Sequence, residues 1–266
     1  MSDDPYKRQY YDWPLERMAK TLKEYLRLRG DPIALAWGMK PPYGLEPYKG
    51  ALKLAHCQFM QRSRFLGEAF VLTRENQSCA PGNFYIGFGE PPLGLKSGEM
   101  GSRREDGRPD IFGTPGAQRR NFLKYYFVEP HTVKFFSCAP LSRCPFDPDV
   151  ITIIGEPRTV LYAVRAAIYY RGGIVRGETG PGTCSTSWVA SYLTGEIKYT
   201  LGCFGAFSRT GIDPSEICLS IPLEWLRETC VALEEWKERG KPLFHEPPPN
   251  EEREWMKVPY EGPYEG

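Results

Sequence analysis

The chain has 266 residues, and its 34 lysines and arginines stand against 33 aspartates and glutamates, for a net charge of +1. So even a balance gives no global electrostatic reason to expect nucleic acid or a membrane surface as partner, and the length suffices to bury a core without disulfide staples. The first thirty residues lack the apolar stretch of a signal peptide and no apolar run nears the roughly 20 residues that span a bilayer. The expectation is therefore a cytoplasmic protein whose eight cysteines stay reduced.

Leu15, Met18, Ala19, Leu22, Tyr25 and Leu26 recur at helical spacing, which predicts an amphipathic helix over 14–29, opened by Pro14 and stopped by Gly30. A short strand over 32–37 follows. The spacing predicts a helix over 52–65, containing His56 and Cys57, then a strand over 69–73 with Cys79 in the turn beyond it. From 87 to 116 glycine, proline and charge replace apolar periodicity, so this is a long loop with Arg103, Arg104, Glu105 and Asp106 at its middle. Beyond it the pattern gives a helix over 117–126, strands over 132–138 and 150–154, a helix over 158–170 and a short strand over 174–176. After a glycine-rich stretch come a helix over 185–193, strands over 197–201 and 217–221, and an amphipathic helix over 223–239 stopped by Gly240. The sum is an α/β or α+β protein, a mixed sheet with helices packed on it, forming one domain over 1–240. The tail 241–266 is rich in Pro, Glu, Tyr and Gly and lacks the apolar content to fold by itself, so it is expected to be disordered.

The cysteines are the richest source of chemistry. Cys57, Cys79, Cys184 and Cys203 sit at element ends, three of them beside glycine, proline or small polar residues. A helix start lowers a thiol's pKa, so Cys79 and Cys184, each opening a helix, are candidate thiolates, the form that binds soft metals. The intervals of about 20, 105 and 20 residues match no local metal-binding pattern such as Cys-x-x-Cys. Burial as small apolar side chains therefore stays open beside ligation. Cys218 lies in a β-run and Cys230 on an apolar helix face, while Cys138 and Cys144 look like bystanders. His56 is a possible base or ligand, but His131 and His245 are remote in sequence and no histidine cluster exists. The stretch 177–182 has the glycine content of a phosphate loop without its Lys-Ser/Thr. Arg119, Arg120 and Lys124 read as a solvated helix face.

Taken in order, Cys57-Gln58, Leu72-Thr73-x-Glu75-Asn76-x-x-Cys79-x-Pro81-Gly82, Gly87-x-Gly89-Glu90-Pro91-Pro92, Ala139-Pro140-Leu141 with Pro145-Phe146-Asp147-Pro148, Tyr192-Leu193-Thr194-Gly195-Glu196 and Leu201-Gly202-Cys203-Phe204-Gly205 form an ordered set of motifs. Over about 30–235 the chain resembles the prokaryotic family called domain of unknown function 169, found mainly in archaea and anaerobic bacteria. The resemblance places Cys57, Cys79 and Cys203 in motifs and Cys184 where members often carry a cysteine. It departs at Cys79-Ala80-Pro81-Gly82, where the usual turn is Cys-Pro-Gly-Gly, and at Gly205-Ala206-Phe207, which lacks an anion-binding arginine. The expectation is a cysteine-ligated metal or iron–sulfur protein of anaerobic metabolism, open to redox work. Cys57, Cys79, Cys184 and Cys203 would hold an iron–sulfur cluster or zinc, Glu75 and Asn76 would orient those ligands, and Gly89, Glu90 and Gly205 would form a ligand loop. Partners would be a small molecule or a redox protein. Two other readings stay open, an enzyme with one thiolate nucleophile, Cys79 or Cys203, and a non-catalytic binding module.

Overall fold

In the computed structural model, residues 13–102 and 110–240 are described. Both the charged cluster 103–106 and the tail from 241 lie outside them. Helix α1 (Leu15–Leu26) leads into β1 (Ile33–Gly38), and α2 (His56–Leu66) into β2 (Phe70–Leu72) and α3 (Ala80–Ile86). Next come α4 (Pro115–Phe122), β3 (Phe135–Pro140), β4 (Val150–Gly155), α5 (Pro157–Ala167) and β5 (Arg176–Gly177). A π-helical segment (Cys184–Val189) runs into α6 (Ala190–Thr194), followed by β6 (Lys198–Thr200), α7 (Phe204–Thr210), β7 (Ile217–Pro222) and α8 (Leu223–Glu238).

The seven strands form one mixed sheet in the order β2-β3-β1-β4-β7-β6-β5, antiparallel except for the β5–β6 pair. Strand alternation divides its side chains between two cores. Ile33, Leu35, Phe136, Cys138, Val150, Ile154 and Cys218 face one side, where Phe59 of α2, Phe84 of α3 and Trp188 of the π segment cover them. Ala34, Ile151, Ile153, Leu219 and Ile221 face the other, under Met18 and Leu22 of α1, Val160 of α5 and Leu226 and Leu233 of α8. The result is a three-layer α/β/α sandwich, and full burial of each large aliphatic or aromatic side chain contributes about 1.5–3 kcal/mol.

Several boundaries shift for identifiable reasons. Helix α1 stops at Leu26, before Gly30, because Arg27 takes the left-handed conformation at φ 50° and its amide caps the Lys23 carbonyl. Helix α2 begins only at His56, where the Gln58 carboxamide oxygen accepts the Ala55 amide at 2.8 Å. His56 and Cys57 thus open this helix, although the sequence places them inside it. Residues 184–189 wind as a π-helix, the Ala190 amide reaching back to Ser185. Helix α7 is absent from the sequence reading. It forms because Gly202, at φ 108°, turns the chain so that the Cys203 sulfur accepts the Ala206 amide at 3.4 Å as its cap.

Candidate functional site

Four helical segments on the first face begin at or next to a cysteine. Cys57 is the second residue of α2, Cys79 precedes α3, Cys184 opens the π segment and Cys203 precedes α7. The chain before α2 and the chain before α3 are tied together by a parallel bridge between Leu54 and Gln77, with the Ser78 amide donating to the Leu54 carbonyl at 2.9 Å. Gln77, buried, accepts the Cys79 amide on its side-chain oxygen at 2.6 Å. Gln58 donates across to the Arg209 carbonyl of α7 at 3.1 Å, which links the Cys57 and Cys203 helices.

The four thiols share one electrostatic environment. Burial, then Cys203 and Cys79, push the Cys57 thiol up to about 12, against the backbone amides of Cys57 and Gln58 that favour its thiolate. Burial and Cys203 also raise Cys79, opposed by the Gly82 amide and by Arg209. Cys184 lies well above an ordinary thiol because of burial and then of Cys79, Cys203 and Cys57, all three, with the Ser185 amide acting the other way. A negative charge on any one sulfur therefore opposes a charge on the others. Among the described residues no three Cys, His, Asp or Glu side chains already stand in an arrangement that holds one metal ion.

Around the thiols lie His56, which the sequence offers as a possible base or ligand, and other groups that it did not single out for this place. His56 is 2% exposed, and neither ring nitrogen has a hydrogen-bond partner. Burial keeps this imidazole neutral down to a pKa of about 3. Gly82 is required by close approach, since a Cβ there would stand 2.8 Å from His56 Nδ1 and 3.0 Å from the Cys79 sulfur. Burial, then Tyr125 and Cys184, raise the phenol of Tyr85, and the Tyr85 and Tyr125 rings lie 4.9 Å apart. Arg209, two residues past the motif position where arginine is missing, supplies a positive charge that favours the Cys79 thiolate.

Other expected residues have different surroundings. Both ends of the Asn76 amide are taken by backbone, Oδ1 accepting from Thr73 at 2.9 Å and Nδ2 donating to the Tyr48 carbonyl at 3.1 Å. Glu75 is exposed. Glu90 is exposed too, its carboxylate 3.9 Å from His131 Nε2, and a Cβ at Gly89 would stand 3.0 Å from the Arg74 guanidinium. At Gly205 a Cβ would meet the Cys203 sulfur at 4.0 Å. Cys138 and Cys218 belong to the core beneath the site, with the Ser63 hydroxyl donating to Cys138 at 3.7 Å, whereas Cys230 and Cys144 pack on the opposite face of the sheet. All eight cysteines are free thiols.

Fold and site together define a three-layer α/β/α protein with four cysteines at the starts of helical segments on one face of its sheet. The chain belongs to the family domain of unknown function 169, described as an uncharacterised ArCR family, whose model matches residues 21–232. It is similar to an uncharacterized protein of Methanocaldococcus jannaschii, 26% identical over 192 residues that make up 69% of this chain and 77% of the relative. No solved structure matches it. Among the described residues no helix is long and apolar enough to cross a membrane.

Proposed function

We propose that the protein binds a soft metal, zinc or an iron–sulfur cluster, through Cys57, Cys79, Cys184 and Cys203. The observation that carries this reading is that four helical segments on one face of the sheet each begin at or next to one of these cysteines, with the Cys57 and Cys203 helices joined through Gln58 and Arg209 and the chains before Cys57 and Cys79 joined by the Leu54–Gln77 bridge. Such a set ionises together only when a cation offsets its charge, and thiolate is the ligating form. The Cys57, Gln58, Gly82 and Ser185 amides, which favour thiolate charge, and Arg209 supply further compensation. A single-nucleophile enzyme built on Cys79 is less well supported, because burial and Cys203 raise that thiol away from the ionised form. Metal uptake expels the thiol protons, so affinity rises with pH.

Loaded with an iron–sulfur cluster, the centre would exchange electrons with a redox protein in a reducing cytoplasm, whereas zinc would leave it redox-inactive. Phe204 at 70% exposed and Phe207 at 37% lie beside Cys203 and offer apolar contact to such a partner. Anaerobic purification followed by metal analysis and absorption spectroscopy tests the reading. Stoichiometric zinc, or iron with sulfide and charge-transfer absorption, is the expected result, lost when Cys57 and Cys184 are both changed to serine. Protein that stays colourless and metal-free after reconstitution overturns it.

A further inference from the structure

We propose that, when the centre holds zinc, His56 Nδ1 fills one of the four ligand positions beside three of the thiols, an inference that rests on the metal reading above. His56 opens α2 one residue before Cys57, with a side chain only 2% exposed. A neutral imidazole carries one N–H donor and one lone pair, and burying such groups without partners is destabilising. In this chain both nitrogens are buried and unpartnered. The neighbouring rings explain part of that isolation, since Phe136 lies at 5.8 Å and Phe88 at 6.1 Å from the imidazole and neither offers a lone pair or a donor.

The two nitrogens are not equivalent. Nδ1 and the Cys79 sulfur approach the same point, the place where a Gly82 Cβ would sit, at 2.8 and 3.0 Å. Only a glycine lets the imidazole and the thiol come this close to the backbone at residue 82. A histidine serving merely to fill the core would be expected to spend at least one nitrogen on a hydroxyl or carbonyl. Here Nδ1 and the Cys79 thiol both lie against Gly82, and imidazole nitrogen combined with thiolate sulfur is a donor set that suits zinc and other soft or borderline metals.

Zinc itself is the probe. The full chain, loaded with zinc without oxygen, is compared by zinc-edge X-ray absorption and by competition with a chelator against His56→Phe and His56→Gln. The proposal expects nitrogen alongside sulfur in the wild-type metal shell, with the imidazole scattering pattern lost in both variants. It also expects zinc affinity at least tenfold lower in both, while zinc-free His56→Phe melts at or above the wild-type temperature because an unpartnered polar ring has been removed. A wild-type shell of sulfur alone, or variants that bind zinc as tightly as wild type, overturns the role of His56 and leaves the thiol centre standing. Wild-type protein that takes up neither zinc nor reconstituted iron overturns the metal reading, and this inference with it.

Discussion

Gly82 shows how tightly the site is drawn at the residue scale. A methyl group there would meet both the imidazole and the Cys79 sulfur, so Gly82→Ala should cost about 1–3 kcal/mol, as overpacking does, and weaken metal uptake; chemical denaturation and zinc titration check the two effects. Cys138 supplies a pH signature separate from the site. Its thiol, buried in β3, rises from an ordinary 9.0 to about 12. Between those values the unfolded chain has lost a proton that the folded chain keeps, so stability is full below pH 9 and falls as pH climbs, by about 1.4 kcal/mol per pH unit at most. Cys138→Ala should flatten that alkaline limb when denaturant midpoints are compared across pH. At this scale the sequence was informative wherever a cysteine stood beside glycine or proline, and uninformative about support. Gln77, rather than Asn76, receives the Cys79 amide, and two neighbouring polar residues in a turn differ in direction by geometry that composition does not encode. His56 was a candidate through its neighbour Cys57 alone, because Cys79 and Gly82, which it faces, come from another element.

Among the elements, α2 is pinned to the turn after α7 by a buried ion pair. Arg64 and Glu216, 2% and 3% exposed, meet in a two-pronged contact at 2.5 and 3.0 Å, and Arg64 also donates to the Ile154 carbonyl at 3.0 Å. Removing one partner strands a buried charge, so Arg64→Met should destabilise by about 3–5 kcal/mol, and the double variant Arg64→Met with Glu216→Leu should recover much of the loss. Urea unfolding of the two variants measures the difference. The pair also joins the Cys57 helix to the chain leaving the Cys203 helix, so the single variant should loosen metal binding as well. Long periodic helices such as α1, α5 and α8 were legible with ends displaced by a few residues, and so were the apolar strands β3, β4 and β7. Helix α7 was not, because Gly205 weakens helix propensity and its apolar residues show no helical period. Its start depends on a cysteine sulfur used as a cap, an uncommon choice next to serine or aspartate.

For the whole molecule, the sheet separates two cores with different duties. Helices α1, α5 and α8 pack a face of aliphatic side chains, whereas α2, α3, the π segment and α7 carry the thiols on the other. Hydrogen exchange with and without zinc should therefore show added protection in the second set and little change in the first. Uniform protection across both layers would argue against a centre confined to one face. Thermal unfolding should rise with zinc by mass action, about 2.7 kcal/mol at a hundredfold excess over the dissociation constant. The mixed sheet with helices packed on it was legible from alternating helices and strands, while its three layers and mainly antiparallel order were not, since pairing partners far apart in sequence leave no local trace.

The π-helical winding of 184–189 has a genealogical consequence. A π turn holds one residue more than an α turn, and deleting that residue would restore ordinary winding while swinging Cys184 by about 100° around the helix axis. Gain or loss of this cysteine as a useful neighbour of the other three is then tied to the length of the chain as well as to a codon. Relatives without a cysteine at this place should be one residue shorter across 184–189, and a register gap in their alignment would mark lineages in which the cluster has three sulfurs.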